Sequence, residues 1–172
     1  MRYPRLLSYG HNNKVVALSE TEVGKLFGED TRSDIGSEAE KMRYANAVNG
    51  LVAGFVRLDI HAETGQDMLV MERLYPVDFR AYEVEKRELW LEVFEYELKE
   101  LHRNGFAHGD LQRPANIPGE PFDNIFLTDT GIRLIDVGIS VLRDKVGEPM
   151  FNRHVQQDLD EFAKFAHYFL NR

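Results

Sequence analysis

The sequence predicts an α+β fold, with a small β-rich first part and a mostly helical second part. Three observations carry that expectation. Short β-rich runs crowd the first ~75 residues around one helix-like stretch, the long amphipathic run Val84–Gly105 opens the second part, and a helix-periodic apolar segment closes the chain. A chain of 172 residues suits one domain or one small bilobal unit. It buries most of its apolar surface without covalent staples.

The elements follow in order. LLSYGHNN supplies turn formers, and KVVALSE (Lys14–Glu20) and EVGKLF (Glu22–Phe27) read as short strands with a polar break between them. SDIGSEAEKMRYANAVNG reads as a helix capped by Ser33 or Asp34 and stopped at Gly50. Ile35, Met42 and Ala45 share one face of it, with Glu38 beside them. GFVRLDIHA and DMLVMERL are two further strands joined by the turn Glu63–Gln66. Val84–Gly105 is the strongest helix, with an apolar stripe of Leu89, Trp90, Val93, Phe94, Leu98 and Leu101 and a stop at Gly105. The loop HGDLQ comes next, then a Pro-rich stretch, then the strands NIFLT and IRLID around the turn Asp129–Gly131. VQQDLDEFAKFAHYFLNR closes the chain as an amphipathic helix.

Composition excludes several classes. The chain is 43% hydrophobic and 29% charged, as soluble globular proteins are. It has no cysteine, which excludes a disulfide framework and a thiolate metal site and fits a reducing, cytoplasmic compartment. A net charge of −8 argues against nucleic acid held by bulk electrostatics and is compatible with a basic protein partner. No apolar run approaches the ~18 residues of a membrane span, and MRYPRLLSYG lacks the apolar core of a signal peptide.

The chemistry concentrates between His108 and Gly138. A strand pair joined by a tight turn brings the residues before and after it together. Asn124 enters the first strand and Asp136 leaves the second, while Asp110 approaches from the preceding loop. Two hard oxygen donors suit Mg²⁺, which binds few protein ligands and keeps phosphates and water for the rest. A third carboxylate nearby orients a hydroxyl nucleophile. That is a phosphoryl-transfer layout.

His108-Gly109-Asp110, Asn124-Ile125-Phe126-Leu127 and Ile135-Asp136-Val137-Gly138 together resemble the catalytic loop and the metal-binding D-F-G motif of the protein-kinase superfamily. LKELHRNGFAHGDL is similar to the end of the long helix running into that loop. The resemblance spans roughly residues 5–165, with its pieces in family order. It implies a bilobal kinase-like fold: residues 1–71 as the β-rich N-lobe, 72–74 as the hinge, and 75–172 as a shortened, mostly helical C-lobe. It also implies roles. Asp110 becomes the base that contacts the substrate hydroxyl, and Asn124 and Asp136 hold Mg²⁺. Lys25 contacts the ATP phosphates, with Glu38 as its helix partner and Glu40 as the alternative. MERL (Met71–Leu74) becomes the hinge, so that Glu72 and Leu74 meet the adenine, and Gly10 belongs to a reduced phosphate loop, SYGHNN.

Departures from the family pattern are informative. Asn124 follows Asp110 by fourteen residues rather than five. Asn116 stands nearer to the family interval, but Pro118 breaks any strand starting there, so residues 113–121 read as a stiff, exposed insert. It either contacts a substrate or partner or is a tolerated surface insertion. Gly109 stands where many protein kinases carry arginine, Gln112 stands where serine/threonine kinases usually carry lysine, and no A-P-E motif follows Asp136. His108 reads as structural, and Tyr82, Trp90, Phe94 and Tyr96 as core. Asp158 and Asp160 either brace the catalytic loop or are helix-surface carboxylates.

The resemblance implies an ATP- and Mg²⁺-dependent kinase acting on serine or threonine of a protein substrate, with an activating protein partner as a further expectation and neither nucleic acid nor a membrane span involved. Its size is similar to the short kinases that pathogenic bacteria inject into host cells. Two alternatives stand beside it: an atypical kinase or ATPase like the small kinase of the KEOPS complex, or a small-molecule kinase of the aminoglycoside and choline type; and a pseudokinase serving as a binding module.

Overall fold

The computed structural model describes residues 2–9, 14–28 and 34–172; Gly10 and Ser33 lie outside the described residues. The first part is a five-stranded antiparallel sheet in the order β1-β2-β3-β5-β4. Its strands are β1 (Arg5–Tyr9), β2 (Lys14–Ala17), β3 (Glu22–Phe27), β4 (Phe55–Ile60) and β5 (Asp67–Glu72). Strand alternation assigns the two faces of β3. Val23, Lys25 and Phe27 face the main core, while Leu26 joins Val16, Met68 and Val70 in a small second core on the other side.

β1 corrects the reading of its residues as turn formers only. Leu6 and Leu7 are exposed, so no burial alternation marks the strand in the sequence. Antiparallel pairing with β2, broken by a bulge between Leu6 and Ser8, makes it one.

Helix α1 (Ile35–Val48) begins where Asp34 accepts the Ser37 N–H at 2.8 Å, a side-chain N-cap. It ends at the cap residue Asn49, one residue before Gly50. Helix α2 (Val84–Arg103) stops before Gly105, whose φ of +93° favours glycine. The stripe expected on α2 is only partly right. Trp90, Phe94, Leu98 and Leu101 are buried together with Arg87, Leu91 and His102. Leu89 and Val93 are 57% and 55% exposed, and Tyr96, expected in the core, is 63% exposed. At 3.6 residues per turn, positions 87, 90, 91, 94, 98 and 101 already fill the inward face. Leu89, Val93 and Tyr96 form a second apolar row turned to solvent.

The remaining elements are short strands and two helices. β6 (Phe106–Ala107) pairs with β9 (Val141–Leu142), and β7 (Ile125–Thr128) pairs with β8 (Gly131–Leu134). After α3 (Arg143–Val146), helix α4 runs over Glu148–Leu170, beginning earlier than the run VQQ suggests. Pro149 suits a first helical turn, since its missing N–H has no partner to lose there. Phe151, Phe165 and Phe169 of α4 are buried, and Phe165 meets Phe94 edge-on at 5.8 Å. Arg87 donates to the carbonyls of Phe169 (2.8 Å) and Arg172 (2.9 Å), which ties the start of α2 to the end of α4. No helix among the described residues is long and apolar enough to cross a membrane.

Candidate active site

Lys25 projects from β3 into the cleft between the sheet and the helical part. Its Nζ lies 2.8 Å from Glu38 Oε1 and 3.5 Å from Asp136 Oδ1. Lys25 is 8% exposed and Glu38 2%, and charges this deeply placed require partners. Glu40, weighed as the alternative partner, is exposed and lies 3.5 Å from Lys145 instead. One turn along α1, Lys41 donates to the Gly138 carbonyl at 3.1 Å. Burial holds its ammonium below the usual lysine range against the pull of Glu38, Glu40 and Asp136.

The segment after β6 carries Asp110. Asn124, the residue before β7, donates through Nδ2 to the Asp110 carbonyl (2.8 Å) and to its carboxylate (3.2 Å). Its Oδ1 is thereby left to face elsewhere, and it accepts no hydrogen bond from the described residues. Asn116 is exposed within the insert. Burial drives the Asp110 carboxyl up to about 6, and Asp136, Asp123 and Glu161 add to it. Asp136 has a left-handed φ of 58° and accepts the Gly138 N–H at 3.1 Å. Burial would raise its carboxyl, but Lys25 and that N–H together hold it below the usual carboxylate range. Even so, its side chain is 44% exposed at the mouth of the cleft.

Behind this front stands a satisfied scaffold. His108 is fully buried. Its Nδ1 accepts the Asp110 N–H (3.2 Å), so its Nε2 carries the proton and donates to the Ile135 carbonyl (2.8 Å). Asp158 of α4, also fully buried, accepts the N–H groups of His108 (2.8 Å) and Gly109 (2.7 Å) and lies 2.9 Å from His102 Nε2. Gln157 donates to the Gly109 carbonyl (3.1 Å), Ser140 to the His108 carbonyl (2.7 Å), and Glu161 accepts the N–H groups of Leu111 (3.1 Å) and Gln112 (3.3 Å). Thus Asp158 braces the loop, whereas Asp160 is exposed and, among the described residues, bonds only to Gln156 at 2.9 Å. Sequence reasoning missed Lys41, Gln157 and Glu161. The signal for the last two was their position at 157 and 161, in line with His154 and Asp158 along one side of an amphipathic helix.

Gly109 has a φ of +80°, and a Cβ there would come within 2.8 Å of His154 Cδ2. The close approach of α4 therefore explains glycine at this position. Residues 113–121 leave and rejoin the loop where the Arg113 N–H meets the Pro121 carbonyl at 2.7 Å. Arg113 staples the excursion from inside, donating to the Pro118 carbonyl (2.6 Å) and pairing with Asp123.

At the sheet end of the cleft, Glu72 closes β5. Its carboxylate accepts the Gly54 N–H (2.8 Å) and pairs with Arg133, so its side chain is engaged away from the cleft. Leu74 packs against the main core, and its N–H donates to no carbonyl among the described residues. A separate cavity of about 330 Å³, lined by Trp90, Val93, Glu97, Ile132 and Arg133 among others, shares no residue with the cleft.

No protein-family model matches this chain, and no curated protein sequence matches it. A solved structure does. The Cydia pomonella granulovirus kinase PK-1 superposes with a TM-score of 0.68 at 14% identity, covering 96% of this chain. This chain spans 66% of the length of that structure. At that identity the likeness shows the fold: a kinase-like architecture with a β-rich N-lobe and a helical C-lobe.

Proposed function

We propose that the chain is an ATP- and Mg²⁺-dependent phosphotransferase whose acceptor is a serine or threonine hydroxyl of a protein. The observation that carries this reading is that the Lys25 ammonium meets both Glu38 (2.8 Å) and Asp136 (3.5 Å), while Asp136 also acts on the charge of Asp110, whose carboxylate Asn124 contacts at 3.2 Å. Residues up to 71 serve as the N-lobe in this reading, 72–74 as the hinge, and the rest as the C-lobe.

The donor chemistry fits a nucleotide with a divalent ion. Asn124 Oδ1 and the ionised Asp136 carboxylate are hard oxygen ligands, and no group of three or more His, Cys, Asp or Glu side chains suited to a metal occurs among the described residues. Such a pair suits Mg²⁺, which completes its shell with phosphate oxygens and water. The bound ion would supply neutralisation of the phosphate charge. Lys25, fixed by Glu38, points a cation at the same place and holds the α- and β-phosphates. Leu74 offers its N–H to the adenine edge, and the Glu72 carbonyl beside it is the second hinge group. Asp110 accepts the proton of the attacking hydroxyl as the new O–P bond forms and the bond to the β-phosphate oxygen breaks. Its raised carboxyl suits that proton traffic near neutrality.

The test is transfer of label from γ-³²P ATP with Mg²⁺ to protein acceptors, a generic basic protein and a cell lysate, beside Asp110→Asn. Label on serine or threonine that depends on Asp110 supports the reading. Label only on added small hydroxyl compounds moves the acceptor class, and release of phosphate without transfer makes the chain an ATPase of the KEOPS-kinase kind. Binding of Mg-ATP with neither product makes it a binding module.

A further inference from the structure

Helix α1 bears on the candidate site at two neighbouring positions. Glu38 holds the Lys25 ammonium at 2.8 Å. Lys41, three residues further and therefore beside Glu38 on the helix surface, donates to the Gly138 carbonyl at 3.1 Å. Lys25 in turn meets Asp136, two residues before Gly138, at 3.5 Å. One side of α1 thus grips one member of the Lys25–Asp136 pair directly and the other through its chain neighbour.

The grip on Gly138 falls where the backbone needs one. At a φ of 58° Asp136 is in the left-handed region, which crowds the Cβ of any residue that has one. Such a residue persists where its surroundings hold it. Val137 is buried in the main core, the Gly138 N–H donates to Asp136 Oδ1 (3.1 Å), and the Ser140 N–H closes a turn on the Val137 carbonyl (3.0 Å). The Ser140 hydroxyl ties that turn to the His108 carbonyl at 2.7 Å. These anchors lie within the segment or in the helical part, and Lys41 adds one from α1. Gly138 is thereby held on both sides, its N–H by the Asp136 carboxylate and its carbonyl by Lys41. Rotation of the turn would take the carbonyl from Lys41 and Asp136 from Lys25 together.

We infer that Lys41 is a positioning residue: by holding the Gly138 carbonyl it keeps the Asp136 carboxylate aimed into the cleft, toward the divalent ion that accompanies the nucleotide. It acts through Gly138 and not on the phosphates themselves. Other contacts from α1 to the helical part end elsewhere. Tyr44 bonds to the Asn104 carbonyl at the end of α2. Glu40 lies 3.5 Å from Lys145, but both side chains are more than half exposed, and such pairs contribute little. The inference rests on the reading of Asp136 as a metal ligand.

The test compares the full chain with Lys41→Met, Lys41→Arg and, as a control, Lys145→Met. Calorimetry measures affinity for ATP in Mg²⁺ and in EDTA. Lys41→Met keeps the apolar stem and loses the charged donor. The gain in affinity that Mg²⁺ brings should fall roughly tenfold, the scale of one hydrogen bond from a charged group, while affinity in EDTA stays that of the parent. Lys41→Arg restores a charged donor and should recover most of the gain, and Lys145→Met should match the parent. Without any ligand, amide hydrogen exchange across Asp136–Leu142 should be faster in Lys41→Met and unchanged in Lys145→Met. Lys41 is half-buried, so Lys41→Met should melt close to the parent; if it does not fold, Lys41→Gln, neutral and shorter, carries the same expectations. An equal Mg²⁺ gain in the parent and in Lys41→Met overturns the inference alone. A loss of affinity as large in EDTA as in Mg²⁺ also overturns it, because Lys41 would then attract the phosphates directly. A parent that gains nothing from Mg²⁺ overturns the metal reading of Asp136, and the inference with it.

Discussion

The two sides of the loop that carries His108–Asp110 treat carboxylates in opposite ways. On the inner side, Asp158 is fully buried and its oxygens are used up by two backbone N–H groups and a histidine ring. On the cleft side, Asp110 receives one amide contact and its carboxyl rises to about 6, while Asp136 remains open to solvent on one flank. A satisfied carboxylate holds the backbone in place, and an under-satisfied one keeps bonding capacity for a ligand. The same residue type, set on two sides of one loop, is thereby divided between support and chemistry.

The largest effect should come from breaking the inner side. Asp158→Ala leaves the N–H groups of His108 and Gly109 buried without acceptors, and removing one partner from such a network costs about 3–5 kcal/mol. Chemical denaturation should show a midpoint far below that of the parent. Asp136→Ala should behave in the reverse manner, keeping most of the stability while losing Mg-nucleotide binding by calorimetry. If both variants lose stability equally, the division into support and chemistry is wrong.

The next effect concerns Asp110. Asp110→Asn should lower turnover by at least about 10²-fold, the usual scale for loss of a general base, with Mg-nucleotide binding retained. In the parent, turnover should fall as pH drops through about 6, where the carboxyl takes up its proton. The stability effect has the opposite sign. A carboxyl whose folded pKa lies above its unfolded value binds more protons in the folded state between about pH 4 and 6, so its ionisation costs stability as pH rises through that window. At pH 7 Asp110→Asn should therefore be more stable than the parent by about 1 kcal/mol, after solvent screening of the half-buried group. The difference should vanish below about pH 4, which denaturation at two pH values would show.

Much of this arrangement was legible in the sequence, for reasons that differ by residue. Asp110, Asn124 and Asp136 were readable as candidates because each sits in a short local pattern, and Lys25 and Glu38 because of the resemblance those patterns carry; the structure sets Lys25 against Glu38 and Asp136, and Asn124 against Asp110. Asn124 was separable from Asn116 because proline forbids a strand where Asn116 would have to start one. Residues whose partners lie far along the chain were harder. Glu161 reaches Leu111 across fifty positions, and nothing local in α4 names its partner. The exposed row on α2 was misassigned because Leu89 and Val93 look like core by residue type. Only the inward face already filled by Arg87, Trp90, Leu91, Phe94 and Leu98 excludes them. β1 was missed because Leu6 and Leu7 stay exposed while its backbone pairs.

A smaller effect sharpens the contrast at Glu161. Its carboxylate holds the Leu111 and Gln112 N–H groups and also helps to keep the Asp110 carboxyl high. Glu161→Gln keeps an acceptor but removes the charge, which favours ionised Asp110. The acid limb of turnover should move to lower pH by a few tenths of a unit, as expected for a charge acting through partly screened surroundings. A shift to higher pH would mean that Glu161 acts on Asp110 through geometry rather than charge.

The smallest effect belongs to Asp160, and it isolates the cause of the largest. Asp160 lies two residues from Asp158 on the same helix, about 200° further round it, where it is exposed and bonds to Gln156 one turn back. Asp160→Ala removes the same chemical group from the same element as Asp158→Ala. Helix propensity differs little between the two sites, because both are interior to α4. Any difference in outcome must then come from what each carboxylate touches. An exposed substitution of this kind changes stability by no more than about 0.5 kcal/mol, against several for Asp158. Denaturation midpoints that separate the two variants by that margin would assign the loss to the backbone N–H groups of His108 and Gly109; equal midpoints would assign it to the helix itself.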